Sequence, residues 1–189
     1  MAGVPPAFAS GRPLTWVDLE SMPDDGRRYE LVDGVLLVSP SPRPVHQRAV
    51  ARLVIALTAV CPPDWEVLPA PVDVVLAEDT VFIPDVVVGD RSAFTSRALI
   101  GPPVLAVEVH SPRTRLVDLE LKRAKLEESG CPHYWLVDPD LPALRCLALR
   151  DGVYEEVAVS EGATVVELDE PFRVRLSALS LVSDTPARA

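Results

Sequence analysis

The segment PPVLAVEVHSP, residues 102–112, reads as a short buried strand that contains one acidic residue. Glu108 stands among apolar neighbours, and an ionised carboxylate that is buried without a partner costs several kcal/mol. The segment TVFIPDVVVGD, residues 80–90, has the same pattern, with Asp85 between two apolar runs. Each acid must therefore have a compensating partner, or it must lie where its strand reaches a cleft.

The segments on either side of these two strands predict an α/β or α+β fold with a mixed β-sheet. Each element is predicted from the spacing of apolar residues and from turn or capping residues. In chain order the predicted elements are a short helix after Thr15, a hairpin around Asp33 and Gly34, an amphipathic helix within 44–63, two or three strands within 65–90, a strand over 103–110, a helix that ends at Gly130, a buried strand within 133–139 and an antiparallel meander over 143–168.

The length of 189 residues favours one domain. We expect a flexible N-terminal segment over 1–13, a single domain over 14–182 and a flexible tail over 183–189. The three cysteines are widely spaced, which predicts neither a disulfide framework nor a CxxC metal site but a reduced, cytoplasmic setting. No apolar run reaches the roughly 18 residues that span a bilayer, so no membrane partner is expected.

The net charge of −10 argues against a protein that grips nucleic acid through its whole surface. Phosphate contacts must then come from a local patch or from a metal ion. Arg43 and Arg48 near the start of the second helix, and Arg113 and Arg115 after the Glu108 strand, are candidate nucleic-acid contacts. The alternative is that these arginines are ordinary solubilising charge.

If the strands that carry Asp85 and Glu108 are neighbours, their carboxylates converge and repel each other unless a cation intervenes. Magnesium or manganese resolves this conflict, because magnesium binds one or two carboxylates together with water and substrate phosphate. A second cation is expected near the scissile phosphate. His110 lies two residues after Glu108 on the same strand face, and Lys122 lies four residues after Asp118 on the same helix face.

Each of these residues also has a purely structural interpretation. Asp85 follows a proline and can cap a turn, while Glu108 can pair with Arg113 or Arg115. His46, near a helix start, is more typical of a surface or capping histidine than of a metal ligand.

Several motifs resemble the Uma2 family of putative restriction endonucleases, which belongs to the PD-(D/E)xK nuclease superfamily. The resemblance covers roughly residues 14–180. The matching motifs are Pro84-Asp85, EVxSP at 108–112, DxxxK…G…YWLVDP at 118–139, YELVDG at 29–34, His46-Gln47 and PVDVVL at 71–76.

The resemblance implies a restriction-endonuclease-like fold, with a mixed sheet flanked by helices and an extra antiparallel β-rich C-terminal part. It also implies metal-dependent hydrolysis of DNA. Asp85 and Glu108 match the two metal-binding acids, and Lys122 matches the superfamily lysine after its migration from the strand onto the helix. Glu30 matches an upstream acid that can complete the metal site.

His46 and His110 are further auxiliary candidates, and His110 departs from the lysine of the superfamily pattern. Two other interpretations stay open. One is a catalytically silent member that acts in binding or assembly, with a homodimer as one form. The other is a hydrolase of a different phosphate ester.

Overall fold

The computed structural model describes residues 12–39, 41–110 and 117–183. The predicted phosphate contacts Arg113 and Arg115 lie outside these residues. The same holds for 1–11 and 184–189, which make up most of the two segments predicted to be flexible.

Short helices alternate with a larger number of strands. The helices are α1 (Trp16–Leu19), α2 (Pro44–Thr58), α3 (Arg123–Glu128) and α4 (Ala178–Val182), with a 3-10 turn at Arg91–Ala93 and a π-helix at Val117–Lys122. The strands are β1 (Arg28–Val32), β2 (Val35–Ser39), β3 (Trp65–Pro69), β4 (Asp73–Ala77), β5 (Thr80–Phe82), β6 (Val86–Asp90), β7 (Ala98–Ile100), β8 (Leu105–Val109), β9 (His133–Asp138), β10 (Ala143–Arg150), β11 (Val153–Glu161), β12 (Val165–Leu168) and β13 (Val174–Ser177).

The strands form two mixed sheets and one small antiparallel sheet. The five-stranded sheet has the order β2-β1-β5-β4-β7, and only its β4–β7 pair is parallel. Asp33 and Gly34 turn the β1–β2 hairpin with φ of 49° and 74°, as the Asp-Gly pair predicts. The six-stranded sheet has the order β11-β10-β9-β8-β6-β3, and β12 pairs with β13.

Strand β8 lies inside the six-stranded sheet, parallel to β9 and antiparallel to β6. Val86 of β6 stands opposite Val107 of β8. Asp85 directly precedes Val86, and Glu108 directly follows Val107, so the two acids lie at the same end of the β6–β8 pair.

Alternation along β8 sends successive side chains to opposite faces of the sheet. Val107 and Val109 face the largest core, which α2, α4 and the β12–β13 sheet cover. Ala106 belongs to a second core that contains Phe82 of β5 and Leu126 of α3. Glu108 shares the face of Ala106, so its side chain enters the layer between the two mixed sheets.

The helix predicted to end at Gly130 is divided in two. A π-helical segment, Val117–Lys122, leads into α3, and Gly130 ends the helix with a φ of 80°, as its position predicts. The wider π turn ends at Lys122. Within the described residues, no helix is long and apolar enough to cross a membrane.

Candidate active site

Asp85 is buried at the point where β6 begins, with 2% of its surface exposed. Its Oδ2 accepts hydrogen bonds from His46 Nε2 at 3.0 Å and from the backbone N–H of Val109 at 2.8 Å. Its Oδ1 accepts from Arg28 Nη1 at 2.6 Å. Helix α2, strand β1 and strand β8 thus converge on one carboxylate.

These partners keep Asp85 ionised. Burial alone would raise the pKa of Asp85, but the hydrogen bond and charge of His46, the charge of Arg28 and the Val109 N–H lower it to about 2. The ionised carboxylate only accepts hydrogen bonds, so Nε2 of His46 carries the proton between them.

Glu108 forms the second centre together with Lys122 and Glu30. Lys122 Nζ lies 2.9 Å from Glu108 Oε1 and 2.7 Å from Glu30 Oε1. Glu30 Oε1 also accepts the backbone N–H of Ile83 at 2.8 Å. All three charged side chains are at most 5% exposed, and the ammonium of Lys122 lies 5.6 Å from the ring centre of Phe82.

Arg28 joins the two centres electrostatically. Burial would lower the pKa of its guanidinium, but the charges of Asp85, Glu108 and Glu30 raise it. Among the described residues, Arg28, Lys122 and His46 are groups that offset the charge of these acids.

Of the two predicted histidines, His46 joins this cluster through Asp85, whereas His110 is placed by its backbone at the end of β8. His46 is buried, and its Nδ1 has no hydrogen-bond partner in the described part of the chain. An unsatisfied buried polar atom costs about 1–3 kcal/mol, so it calls for an explanation such as a catalytic role or a bound water or ion. His110 is 6% exposed, directly follows β8, and donates its backbone N–H to Val137 O at 2.7 Å.

A groove of about 710 Å³ opens beside Asp85. Arg28, His46 and Asp85 are among its polar lining residues. Its apolar wall comes from α2 and from the loop around the cis Ala70–Pro71 bond; the wall residues are Val50, Ala51, Val54, Ile55, Pro69 and Pro71. Asp85, although almost fully buried, thus borders a groove large enough for a ligand.

The two described arginines predicted to bind nucleic acid have other contacts. Arg43 forms an exposed ion pair with Asp140 at 2.6 Å. Arg48 Nη1 lies 3.4 Å from the carbonyl of Val182, at the end of α4. An exposed ion pair of this kind contributes little stability.

Sequence reasoning missed Arg28. The Arg27-Arg28 pair resembles surface charge, and the partner of Arg28 is 57 residues away along the chain. A usable signal was present, because Arg28 precedes Glu30 by two residues on β1 and the two share a strand face. For His46 the signal was helical periodicity, since it shares a face of α2 with the buried residues Val50, Leu53 and Leu57.

The donor set fits a hard divalent cation. No group of three or more His, Cys, Asp or Glu side chains that could hold a metal was found within the described ranges, so a site enclosed by protein ligands, as for structural zinc, is not indicated there. Magnesium needs only one or two carboxylates, with water and phosphate as further ligands. Asp85 and Glu108, at the same end of the β6–β8 pair, are the two carboxylates that would hold such an ion.

Comparisons with known proteins agree with this fold. A model of the Uma2 family, described as putative restriction endonuclease, matches residues 16–181. Among solved structures, the chain is similar to a putative nuclease belonging to DUF820 from Anabaena variabilis ATCC 29413, with a TM-score of 0.72 and 20% identity. That match covers 90% of this chain and 98% of the other, and it confirms the predicted fold class. A search of curated proteins found no match.

Proposed function

The chain belongs to the Uma2 family of putative restriction endonucleases, as its motifs predict, and we propose that it is a metal-dependent nuclease that hydrolyses DNA phosphodiester bonds. The family and the structural neighbour both support a nuclease-type function. The observation that carries the proposal is the position of Asp85 and Glu108 at the same end of the β6–β8 pair, with Lys122 paired to Glu108.

Asp85 and Glu108 would hold Mg²⁺ or Mn²⁺ through their carboxylate oxygens. The bound ion would stabilise charge on the phosphodiester under attack and lower the pKa of a bound water. His46 and the Val109 N–H orient Asp85 by holding its Oδ2. Glu30 positions Lys122, whose ammonium can stabilise the negative charge that develops on the phosphate.

His110 stands where the superfamily lysine is expected, so Lys122 supplies the cation beside Glu108. A protein of net charge −10 has few surface cations to spare for phosphate. We therefore expect slow cleavage that weakens steeply as salt rises. The groove beside Asp85 is the expected path of the DNA strand.

Plasmid nicking tests this function. Purified protein with Mn²⁺ or Mg²⁺ should nick supercoiled DNA, Asp85→Asn and Glu108→Gln should abolish nicking, and Lys122→Met should weaken it. Glu156→Gln is the matched control, because Glu156 is an exposed β11 acid paired with Arg145 at 3.2 Å. Nicking that persists in the Asp85→Asn, Glu108→Gln double variant would contradict the proposal.

A catalytically silent binding or assembly protein is the second candidate. The observation in its favour is that Arg28 and Lys122 already compensate the two acids. Calorimetry with Mn²⁺ separates the two, because the silent protein would bind no ion at Asp85. A hydrolase of another phosphate ester would bind the ion and cleave a small phosphodiester, but it would leave DNA intact.

The cytoplasmic setting and a homodimer stay predictions. Light scattering after gel filtration would give the mass in solution, for comparison with the 20.5 kDa of one chain.

A further inference from the structure

We propose that Arg28 is a mobile phosphate-binding residue. It holds Asp85 while the metal site is empty, and it turns into the adjacent groove to bind substrate phosphate when a divalent cation takes Asp85. This inference rests on the proposed metal-dependent function. It goes further by assigning a residue that couples metal binding to DNA binding.

The contacts of Asp85 divide unequally between its two oxygens. Oδ2 already accepts two hydrogen bonds, from His46 and from Val109. Each carboxylate oxygen has about two acceptor positions, so Oδ2 has no lone pair left for an ion. A metal must therefore bind at Oδ1, the oxygen that lies 2.6 Å from Arg28 Nη1.

Arg28 and a divalent cation repel each other at that oxygen. Like charges a few ångströms apart repel strongly where water is excluded, and Asp85 is only 3% exposed. Metal binding must therefore weaken the Arg28–Asp85 ion pair. Arg28, in turn, must weaken metal binding while it stays in place.

The groove provides a position for the displaced guanidinium. Arg28 is 22% exposed, whereas Asp85 is almost fully buried, and both residues line the groove. A guanidinium presents a planar set of donors that matches phosphate oxygens in pairs. A backbone phosphate in the groove could thus replace Asp85 as the partner of Arg28.

The exchange has a reciprocal consequence. If metal binding releases Arg28 for phosphate, then metal strengthens DNA binding and DNA strengthens metal binding by the same factor. Removal of the Arg28 charge should abolish this coupling and change the two affinities in opposite directions. Metal should bind more tightly, and DNA more weakly.

Arg28→Gln tests the coupling, with Arg27→Gln as the matched control. Arg27 is the neighbouring groove residue, but it is 63% exposed and pairs with Asp25 at 3.5 Å. In calorimetry, Arg28→Gln should bind Mn²⁺ about tenfold more tightly than the wild type, or about 1.4 kcal/mol, and Arg27→Gln should not change the affinity. In Ca²⁺, which also prefers oxygen ligands, Arg28→Gln should bind a fluorescein-labelled DNA strand more weakly by anisotropy.

A measurement on the wild-type protein covers the case in which Arg28→Gln does not fold. Phenylglyoxal modifies accessible guanidinium groups, and mass spectrometry of peptides locates the modified residues. Mn²⁺ should increase the modification of Arg28 severalfold and leave that of Arg27 unchanged.

The outcomes separate this inference from the function on which it rests. No Mn²⁺ binding by the wild type, or equal binding by Asp85→Asn, would refute the proposed metal site. Mn²⁺ binding that depends on Asp85, combined with unchanged Arg28 labelling, would refute the release of Arg28 alone. Equal or weaker Mn²⁺ binding by folded Arg28→Gln would also refute it.

Discussion

Replacement of Lys122 by methionine should strongly destabilise the protein. Lys122 Nζ lies within 3 Å of Glu30 and Glu108 oxygens, and methionine removes the charge while keeping an unbranched side chain. Two nearly fully buried carboxylates then lose the ammonium group that both of them contact. Removal of one partner from a buried ion pair costs about 3–5 kcal/mol, and repulsion between the remaining acids adds to that cost.

Lys125→Met is the control for this change. Lys125 lies on α3, in the turn that follows Lys122, and forms ion pairs with Asp33 and Glu128 at 2.8 and 3.0 Å. Both of those acids are more than half exposed, so the loss should be within about 1 kcal/mol. Comparison of the two lysine-to-methionine variants thus distinguishes the stability contribution of a buried ion pair from that of an exposed one.

Urea unfolding followed by circular dichroism gives both free energies at neutral pH. Addition of Glu30→Gln to Lys122→Met should recover much of the loss, since it removes one of the two uncompensated charges. A loss below about 1 kcal/mol for Lys122→Met would refute the reasoning, because the acids would then be compensated without Lys122. Failure of Glu30→Gln to restore stability would show that packing against Phe82, and not charge, is the main contribution of Lys122.

Two further predictions concern stability. The pKa of Asp85 is lowered to about 2, so its ionised carboxylate should add roughly 2 kcal/mol to the free energy of unfolding above pH 5, and this contribution should be lost as the pH falls toward 2. The difference in unfolding free energy between the wild type and Asp85→Asn should therefore narrow over this pH range. A difference that stays constant would contradict the lowered pKa. In thermal melts, Gly34→Ala should lower the melting temperature by more than Gly152→Ala. Both glycines have positive φ, but a Cβ at Gly34 would lie 2.4 Å from Pro13 Cβ, whereas the space at Gly152 is open. Equal decreases in melting temperature would show that only the backbone conformation matters.

Local signals in the sequence were sufficient for the elements around the site. Thr15 and Asp18 form the expected capping box, and Asp33-Gly34 and Gly130 adopt the expected positive φ. Each of these features depends on a few neighbouring residues. The division of the strands between two mixed sheets was not predictable in this way, because apolar alternation determines which face is buried and not which strands pair.

The site shows the same limit. Two acids in apolar runs pointed to Asp85 and Glu108, since burial of a carboxylate demands a partner. The partners themselves were harder to predict. Lys122 followed from its helical position and the family resemblance. The strand face that Arg28 shares with Glu30 could have marked Arg28, but not its partner Asp85, which lies 57 residues away in sequence.

The buried charges of the cluster also bear on why it is kept. A well-packed apolar replacement for a buried ion pair is often neutral or stabilising, so stability alone gives little reason to bury Asp85, Glu108 and Glu30 with their cationic partners. A cluster that only stabilised the fold would also be expected to satisfy its polar atoms. His46 Nδ1, however, has no hydrogen-bond partner among the described residues, and an unsatisfied buried polar atom costs about 1–3 kcal/mol. This cost supports the functional role proposed for the cluster over a purely structural one.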